Sequence, residues 1–408
     1  MNRVVVTGMS VVSALGNDWH TFEQGLRLEQ NAVKYMPDWQ DVEDLGTRIA
    51  APVEFVKPAH FSRKKVRSMG RVSLMATAAT EQALQQAHLT DDPVLTNGST
   101  GIAYGSSTGS TQPLTAFGNL IANRSMSGVT ATSYIQMMAH TTAVNLGVYF
   151  STKGRIITTS SACTSASQGI GYAYEAIKFG KQKVMIAGGA EELCVTEAAV
   201  FDTLYATSTK NNTPNLTPQP YDKDRDGLVL GEGAGTFILE ELEHAKARGA
   251  NIIAEVIGFG TNADGQHVTQ PTAETMSQAI QLALQDADIP ANEIGYVNGH
   301  GTATEAGDIA ETQATRQALG RAVPISSLKS YLGHTLGACG AIEAWASIEM
   351  MLSGWFAPTI NLSNIDPRCA ELDYLTSGGR QISTDIVMSN NFAFGGINTS
   401  LIFKRWNE

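Results

Sequence analysis

Cys163 stands in RIITTSSACTSASQGIGYAYEAI, between a run that reads as a buried strand, 155–159, and a segment with helical spacing. A cysteine at the start of a helix meets unpaired N–H groups and the positive end of the helix dipole, both of which favour a nucleophilic thiolate. Its neighbours Ser160, Ser161, Ala162, Thr164, Ser165 and Ala166 are small enough to admit a substrate. On this segment alone a buried structural thiol is an equally open reading. His300, in IGYVNGHGTATEAGDIAE, follows a strand-like run, and strand ends in α/β sheets are where ligand sites collect. Thr302 and Thr304 bring hydroxyls to the same turn, and Asp308 and Glu311 begin the next helix, where acidic side chains suit the dipole. His334, in ISSLKSYLGHTLGACGAIEAWASI, lies between a short strand and a glycine- and alanine-rich helix. Lys329, five positions earlier, sits in a segment too apolar for an ordinary surface lysine; it snorkels to solvent or finds a buried partner, for which Glu343 is the candidate. Taken singly, His300 reads as a capping or core residue.

The elements that must carry these residues alternate. Apolar strand, glycine-rich turn and alanine-rich helix recur on both sides of HAKARG, residues 244–249, where a helical pattern ends at a glycine before the strand-like NIIAEVIGFG. The segment after Cys163 has a counterpart in the one after His334, and GIAYGSSTGS at Gly101 has one in IGYVNGHGTAT at Ile294. This predicts an α/β protein built by internal duplication, with halves 1–249, holding the cysteine, and 250–408, holding the histidines. Near the C-terminus, NNFAFGGINTS places Phe392 and Phe394 before Gly395 and Gly396; it reads as a strand-to-strand turn with core aromatics, or as aromatics closing an apolar channel.

Composition removes several function classes. The net charge of −11 argues against a nucleic-acid partner, and no apolar run reaches the ~20 residues that cross a bilayer. The N-terminus lacks the apolar core of a signal peptide, so a cytoplasmic location is expected. Four scattered cysteines, none in CxxC spacing, suit neither a disulfide framework nor a zinc site. Cys194, Cys339 and Cys369, with His20, His60, His140, His244 and His267, are expected to be structural or superficial. One segment opposes the acidic balance: Arg63, Lys64, Lys65, Arg67 and Arg71 form either a solvated helix face or a patch that docks an acidic partner.

SACTSASQGIG, VNGHGTATEAGD and SLKSYLGHTLGACGAIE, in this order, together resemble the β-ketoacyl-[acyl-carrier-protein] synthases of the two-histidine class. RVVVTGMSVVSALG, YDKDRDGLVLGEGAG and NNFAFGGIN extend that likeness over essentially the whole chain. The resemblance implies a thiolase-like fold, two similar halves in a five-layered α-β-α-β-α arrangement, as a homodimer or as a heterodimer with a ketosynthase-like partner. It implies that Cys163 is the acylated nucleophile, that His300 and His334 assist malonyl decarboxylation, and that Lys329 orders the site beside the structural Glu343, with Asp308 as a further support. Phe394 matches the residue whose N–H joins that of Cys163 as an oxyanion hole, and Phe392 shares its gating loop. Thr302 and Thr304 match hydroxyls that bind the phosphopantetheine arm, and Thr108 lies in a turn, with Ser107 and Gly109, near the acyl channel. Arg63, Lys64, Lys65, Arg67 and Lys210 become candidates for docking the acidic carrier protein. No metal or redox cofactor has a task in such chemistry.

Departures from the family pattern concern the acyl substrate. Ala393 stands where the gating loop usually has glycine, Ile397 where threonine is usual, and Gly299 where alanine is usual. The turn at Ser107, Thr108 and Gly109 is polar where long-chain enzymes are apolar, so polyketide-like or polyene chains are expected alongside fatty-acid ones. A degradative thiolase would need a second catalytic cysteine between Asn390 and Asn398, and none is there. Two histidines in the HGTAT and GHTLG contexts disfavour the Cys-His-Asn synthases, and Cys163 itself disfavours a non-catalytic partner subunit.

Overall fold

The computed structural model describes residues 1–407. Five strands come from the first half: β1 Val4–Val12, β2 Thr100–Gly105, β3 Ile156–Thr159, β4 Val184–Glu191 and β5 Gly233–Glu241. Six come from the second: β6 Ala254–Ala263, β7 Tyr296–Asn298, β8 Pro324–Ser326, β9 Asp373–Tyr374, β10 Ile386–Ala393 and β11 Ile397–Arg405. They run in the order β9-β8-β7-β10-β11-β6-β1-β5-β4-β2-β3. Outward from the centre, β1-β5-β4-β2-β3 repeats as β6-β11-β10-β7-β8. The senses repeat too: two antiparallel pairings, then two parallel ones. The halves meet where β1 pairs antiparallel with β6 over Val4–Val6 only. Topology thus carries the duplication that weak residue identity left faint. The segments paired by pattern above, at Gly101 with Ile294 and after Cys163 with after His334, occupy equivalent positions.

Helices α1 Arg71–Gln86 and α2 Thr141–Phe150 cover the first half-sheet; α4 Ala273–Ala287 and α5 Glu305–Leu319 cover the second. Between them lie α3 Ser165–Lys178 and α6 Cys339–Ser353, pressed between the two half-sheets. This is the expected five-layered arrangement. Strand period makes it possible, since successive side chains point to opposite faces. Ile102, Tyr104, Val184 and Ile186 face the outer helices of the first half, while Ala103, Met185 and Ala187 face the central layer. In the second half Val297, Met388 and Ile402 face outward, and Tyr296, Val387, Leu401 and Phe403 inward.

A helix with sheet on both sides has no solvent face, which explains the composition of α6: Cys339 through Ile348 is entirely buried. Close approach also demands small residues. A Cβ on Gly235 of β5 would lie 2.6 Å from the Cβ of Ala341. The segment 155–159 departs from expectation: β3 is the outermost strand of its half, and Ile156 is exposed. It pairs on one side only, and of its two isoleucines Ile156 is left exposed while Ile157 is only partly buried against the central core.

Candidate active site

Each site residue sits on a connection leaving the end of a parallel strand, where the backbone turns toward the central layer. Cys163 lies in the tight turn Ala162–Thr164 between β3 and α3. His334 lies in the equivalent connection between β8 and α6, and His300 directly after β7. Ala162 adopts φ +50°, a left-handed conformation costly for a residue with a Cβ, so the cysteine is held on a sharp, over-determined bend.

The three side chains converge. His334 Nε2 stands 3.0 Å from Cys163 Sγ, and the imidazole rings meet edge to face with centroids 5.2 Å apart. One ligand atom from each of Cys163, His300 and His334 falls within 4.8 Å of the others. The backbone N–H of Leu336 donates to His334 Nδ1 at 3.3 Å, which assigns the ring proton to Nε2, facing the sulfur. Asn391 Nδ2 lies 3.4 Å from His300 Nδ1, which likewise leaves His300 Nε2–H for the pocket.

Burial pushes both histidines well below their ordinary pKa, and the positive charge of Lys329 adds to the effect. They are neutral donors at physiological pH. Burial lowers Lys329 too, but Glu343 and Cys339 outweigh it, so the lysine stays protonated. Its Nζ donates to Glu343, whose other oxygen accepts from Asn391 Nδ2 at 2.8 Å. Lys329 is therefore buried and paired, not snorkelling. Cys163 shows the opposite of the shift expected from helix ends. Burial raises its thiol to about 11, and Lys329 and the backbone N–H groups of Phe394 and Cys163 only partly offset this. Those two N–H groups are aimed at the sulfur from different loops.

Asp308 is fully buried and accepts from the N–H of Tyr221 at 2.7 Å and of Ala303 at 3.2 Å, with Arg225 Nε 3.4 Å away. It ties the segment YDKDRDG to the His300 turn. Thr302 and Thr304 line the same cleft as Cys163, with hydroxyls 2.9 Å apart. Phe392 packs 6.2 Å from His300, and Phe394 lies 5.2 Å from Phe201 across the cleft, which encloses about 200 Å³. Thr108 is not in that cleft. It borders a neighbouring cavity and donates to Glu197 at 3.0 Å.

Arg63, Lys64 and Lys65 form a short exposed helix, and Arg67 follows it, also exposed. Lys65 stacks over Tyr149 at 5.1 Å. Two other cations leave the patch. Arg71 is bound to buried Glu232 at 2.8 Å, and Lys210 is turned toward Gln219 and the carbonyl of Asp224, 3.1 Å away. A basic run in sequence places its side chains around a helix, so only part of it shares one surface.

Two contributors escaped the sequence reading. Glu311, read as a helix-start acid, accepts the backbone N–H of His300 and, at 2.6 Å, of Gly301, and so fixes the His300 turn. Asn391 joins Glu343 to His300. The doubled Asn390-Asn391, in a strand that opens with the apolar run Ile386–Met388, was the available signal, because a buried amide demands partners.

Residues 1–245 match the family model described as beta-ketoacyl synthase, N-terminal domain, and 253–363 its C-terminal domain. The chain is 36% identical over its full length, and that of the relative, to 3-oxoacyl-[acyl-carrier-protein] synthase 1 of Haemophilus influenzae. It is 37% identical to synthase 2 of Vibrio cholerae over 99% of each chain. A solved beta-ketoacyl synthase from Burkholderia phymatum superposes with TM-score 0.98 at 60% identity, covering all of both chains. The ishigamide ketosynthase/chain length factor superposes with TM-score 0.91 at 30% identity, again over both full chains.

Proposed function

This chain belongs to the β-ketoacyl synthase family, and from that premise we propose that Cys163, His300 and His334 together perform a decarboxylative Claisen condensation, joining a cysteine-bound acyl group to malonyl-acyl carrier protein. Their convergence on one small volume is the observation that carries the reading. In the first half-reaction Cys163 displaces the carrier's phosphopantetheine thiol from an acyl thioester. One thioester replaces another, and the thiol proton passes to the departing thiolate. Lys329 and the N–H groups of Phe394 and Cys163 draw the buried thiol toward the anion this step needs.

Malonyl thioester then enters along Thr302 and Thr304. Breaking its carboxylate bond releases CO2 and leaves the electron pair as an enolate. The two Nε2–H groups hold the enolate oxygen, and because both rings are neutral they donate hydrogen bonds without having to give up a proton. The enolate carbon attacks the acyl-Cys163 carbonyl, whose oxyanion is received by the N–H groups of Cys163 and Phe394. Collapse returns the thiolate and a 3-oxoacyl chain two carbons longer. Every charge that develops meets a residue of this chain, so the reading includes no metal or redox cofactor.

The exposed patch Arg63, Lys64, Lys65 and Arg67 is proposed to dock the acidic carrier protein. Self-association as a homodimer through the edge strand β3 is supported by that strand's unpaired side and by exposed Ile156, Val144 and Val148. A solved ketosynthase from Xenorhabdus doucetiae, 27% identical, is described as complexed with its chain length factor, so a heterodimer is the competing arrangement. No helix among the described residues is long and apolar enough to cross a membrane, in keeping with a proposed cytoplasmic location. We propose that the halves divide at 249/250, in the turn before β6. Incubation with an acyl-carrier-protein thioester followed by mass spectrometry should show an acyl adduct on Cys163. A chain that remains unmodified is a scaffold, not a catalyst.

A further inference from the structure

Glu191 ends β4 and is fully buried, and its carboxylate gathers donors from two turns. Oε1 accepts the Ser106 hydroxyl at 2.8 Å. Oε2 accepts the backbone N–H of Ser107 at 2.7 Å and of Gly337 at 3.0 Å. Ser106 and Ser107 begin the turn that leaves β2, whereas Gly337 lies in the turn Leu336–Ala338 that joins His334 to α6. The approach is close: a Cβ on Gly337 would lie 2.6 Å from Oε2 and 2.8 Å from the Ser107 nitrogen.

The main chain of His334 is fixed elsewhere. Its N–H donates to the Val229 carbonyl at 2.6 Å, and its carbonyl accepts from Gly231 at 2.9 Å. The imidazole has less to hold it: beyond Cys163 Sγ, its polar partner is the Leu336 N–H on Nδ1 at 3.3 Å. Leu336 adopts φ +44°, a conformation costly for a residue with a Cβ and kept only where the surroundings impose it. The N–H groups of Leu336 and Gly337 belong to the two peptides flanking the Leu336 Cα, so the dihedrals of Leu336 set one direction relative to the other. Relaxing Leu336 to negative φ would swing one of these groups off its acceptor. Anchoring Gly337 on a buried carboxylate opposes that relaxation.

We propose that Glu191 is a positioning residue for His334: by holding the Gly337 N–H it keeps the Leu336 N–H on Nδ1, and so keeps the Nε2 proton aimed at the reacting thioester. The proposal rests on the condensing role argued above. It gives each imidazole a buried carboxylate that fixes its turn through backbone N–H groups, Glu311 for His300 and Glu191 for His334.

The test compares wild type, Glu191→Leu and Glu191→Gln by three readouts: acylation of Cys163 by octanoyl-carrier protein, CO2 release from malonyl-carrier protein, and the imidazole 15N spectrum, with the His334 signals identified by their loss in His334→Ala. Wild-type His334 should be protonated on Nε2 alone. Glu191→Leu should populate the Nδ1–H tautomer and lose decarboxylation by about 10²-fold, while acylation stays close to the wild-type rate. Glu191→Gln keeps a carbonyl for the Gly337 N–H and should restore both the spectrum and decarboxylation. A Glu191→Leu enzyme with the wild-type tautomer overturns the proposal, whether its two half-reactions are unchanged or fall together. Should that variant fail to fold, a wild type protonated on Nδ1 of His334 overturns it equally. A wild type that forms no acyl-Cys163 instead removes the condensing role, and leaves the spectra to judge the positioning.

Discussion

Protonating His300 or His334 would add a positive charge to a buried site that already holds Lys329, and both burial and that lysine oppose it. The unfolded chain has no such restraint, so below the ordinary value of 6.5 it binds protons the folded protein refuses. Stability should therefore fall as pH drops from about 6.5, by about 1.4 kcal/mol per pH unit for each histidine until its folded pKa is reached. Urea midpoints at several pH values check this, and the slope should flatten in His300→Ala and His334→Ala. The same two variants should still form acyl-Cys163 yet lose decarboxylation by about 10²–10³-fold, since each removes a donor from the enolate oxygen. Equal loss in both half-reactions would show that the imidazoles act on the nucleophile instead. Lys329→Ala leaves Glu343 buried without its cation and should cost about 3–5 kcal/mol, measured by denaturant unfolding, with part recovered in Lys329→Ala/Glu343→Ala.

The central helices set the tolerance of the scaffold at the level of elements. α6 lies so close to β5 that Gly235 has no room for a Cβ beside Ala341. Gly235→Ala should lower stability by about 1–3 kcal/mol through overpacking and shift the turn bearing His334, which begins α6. Thermal unfolding together with the acylation rate reads both effects. Pattern made these helices recognisable, because small and apolar residues recur at helical spacing after both Cys163 and His334. It could not show that two sheets flank them, since an all-buried helix and an ordinary amphipathic one share that spacing when the polar face is short. β3 illustrates the converse. Its β-branched composition identified a strand, but whether a strand is central or at an edge depends on pairing partners remote in sequence.

For the whole molecule, charge and exposed surface decide association. A chain of net charge −11 repels an acidic carrier protein except where Arg63, Lys64, Lys65 and Arg67 gather. Lys64→Glu/Lys65→Glu should raise KM for carrier-bound substrates several-fold, more so at low salt, and leave turnover of a small-molecule thioester unchanged. Size-exclusion chromatography of the chain alone should give a dimer, converted by Ile156→Lys to a smaller species. A monomer in the unmodified protein would favour pairing with a different subunit.

Strand and helix alternation along the sequence predicted the α/β class and the repeat, whereas Cys163, His300, His334 and Lys329 were singled out by family motifs in order, because residue type and spacing alone left a structural thiol and a capping histidine open. The paired burial of Lys329 and Glu343 was also legible, since a charge on an apolar face needs an opposite charge. Other features came only with the tertiary structure. Asn391 bridging Glu343 to His300, Arg71 drawn to Glu232 and the place of Thr108 beside Glu197 join residues far apart in the chain, while Glu311 clamping the His300 turn and Lys210 turning to Gln219 and Asp224 lie nearer in sequence but depend on how the intervening turns fold. The rise in the Cys163 pKa belongs there as well. A helix terminus is visible in a sequence, whereas the solvent removed from around a thiol depends on everything that folds over it.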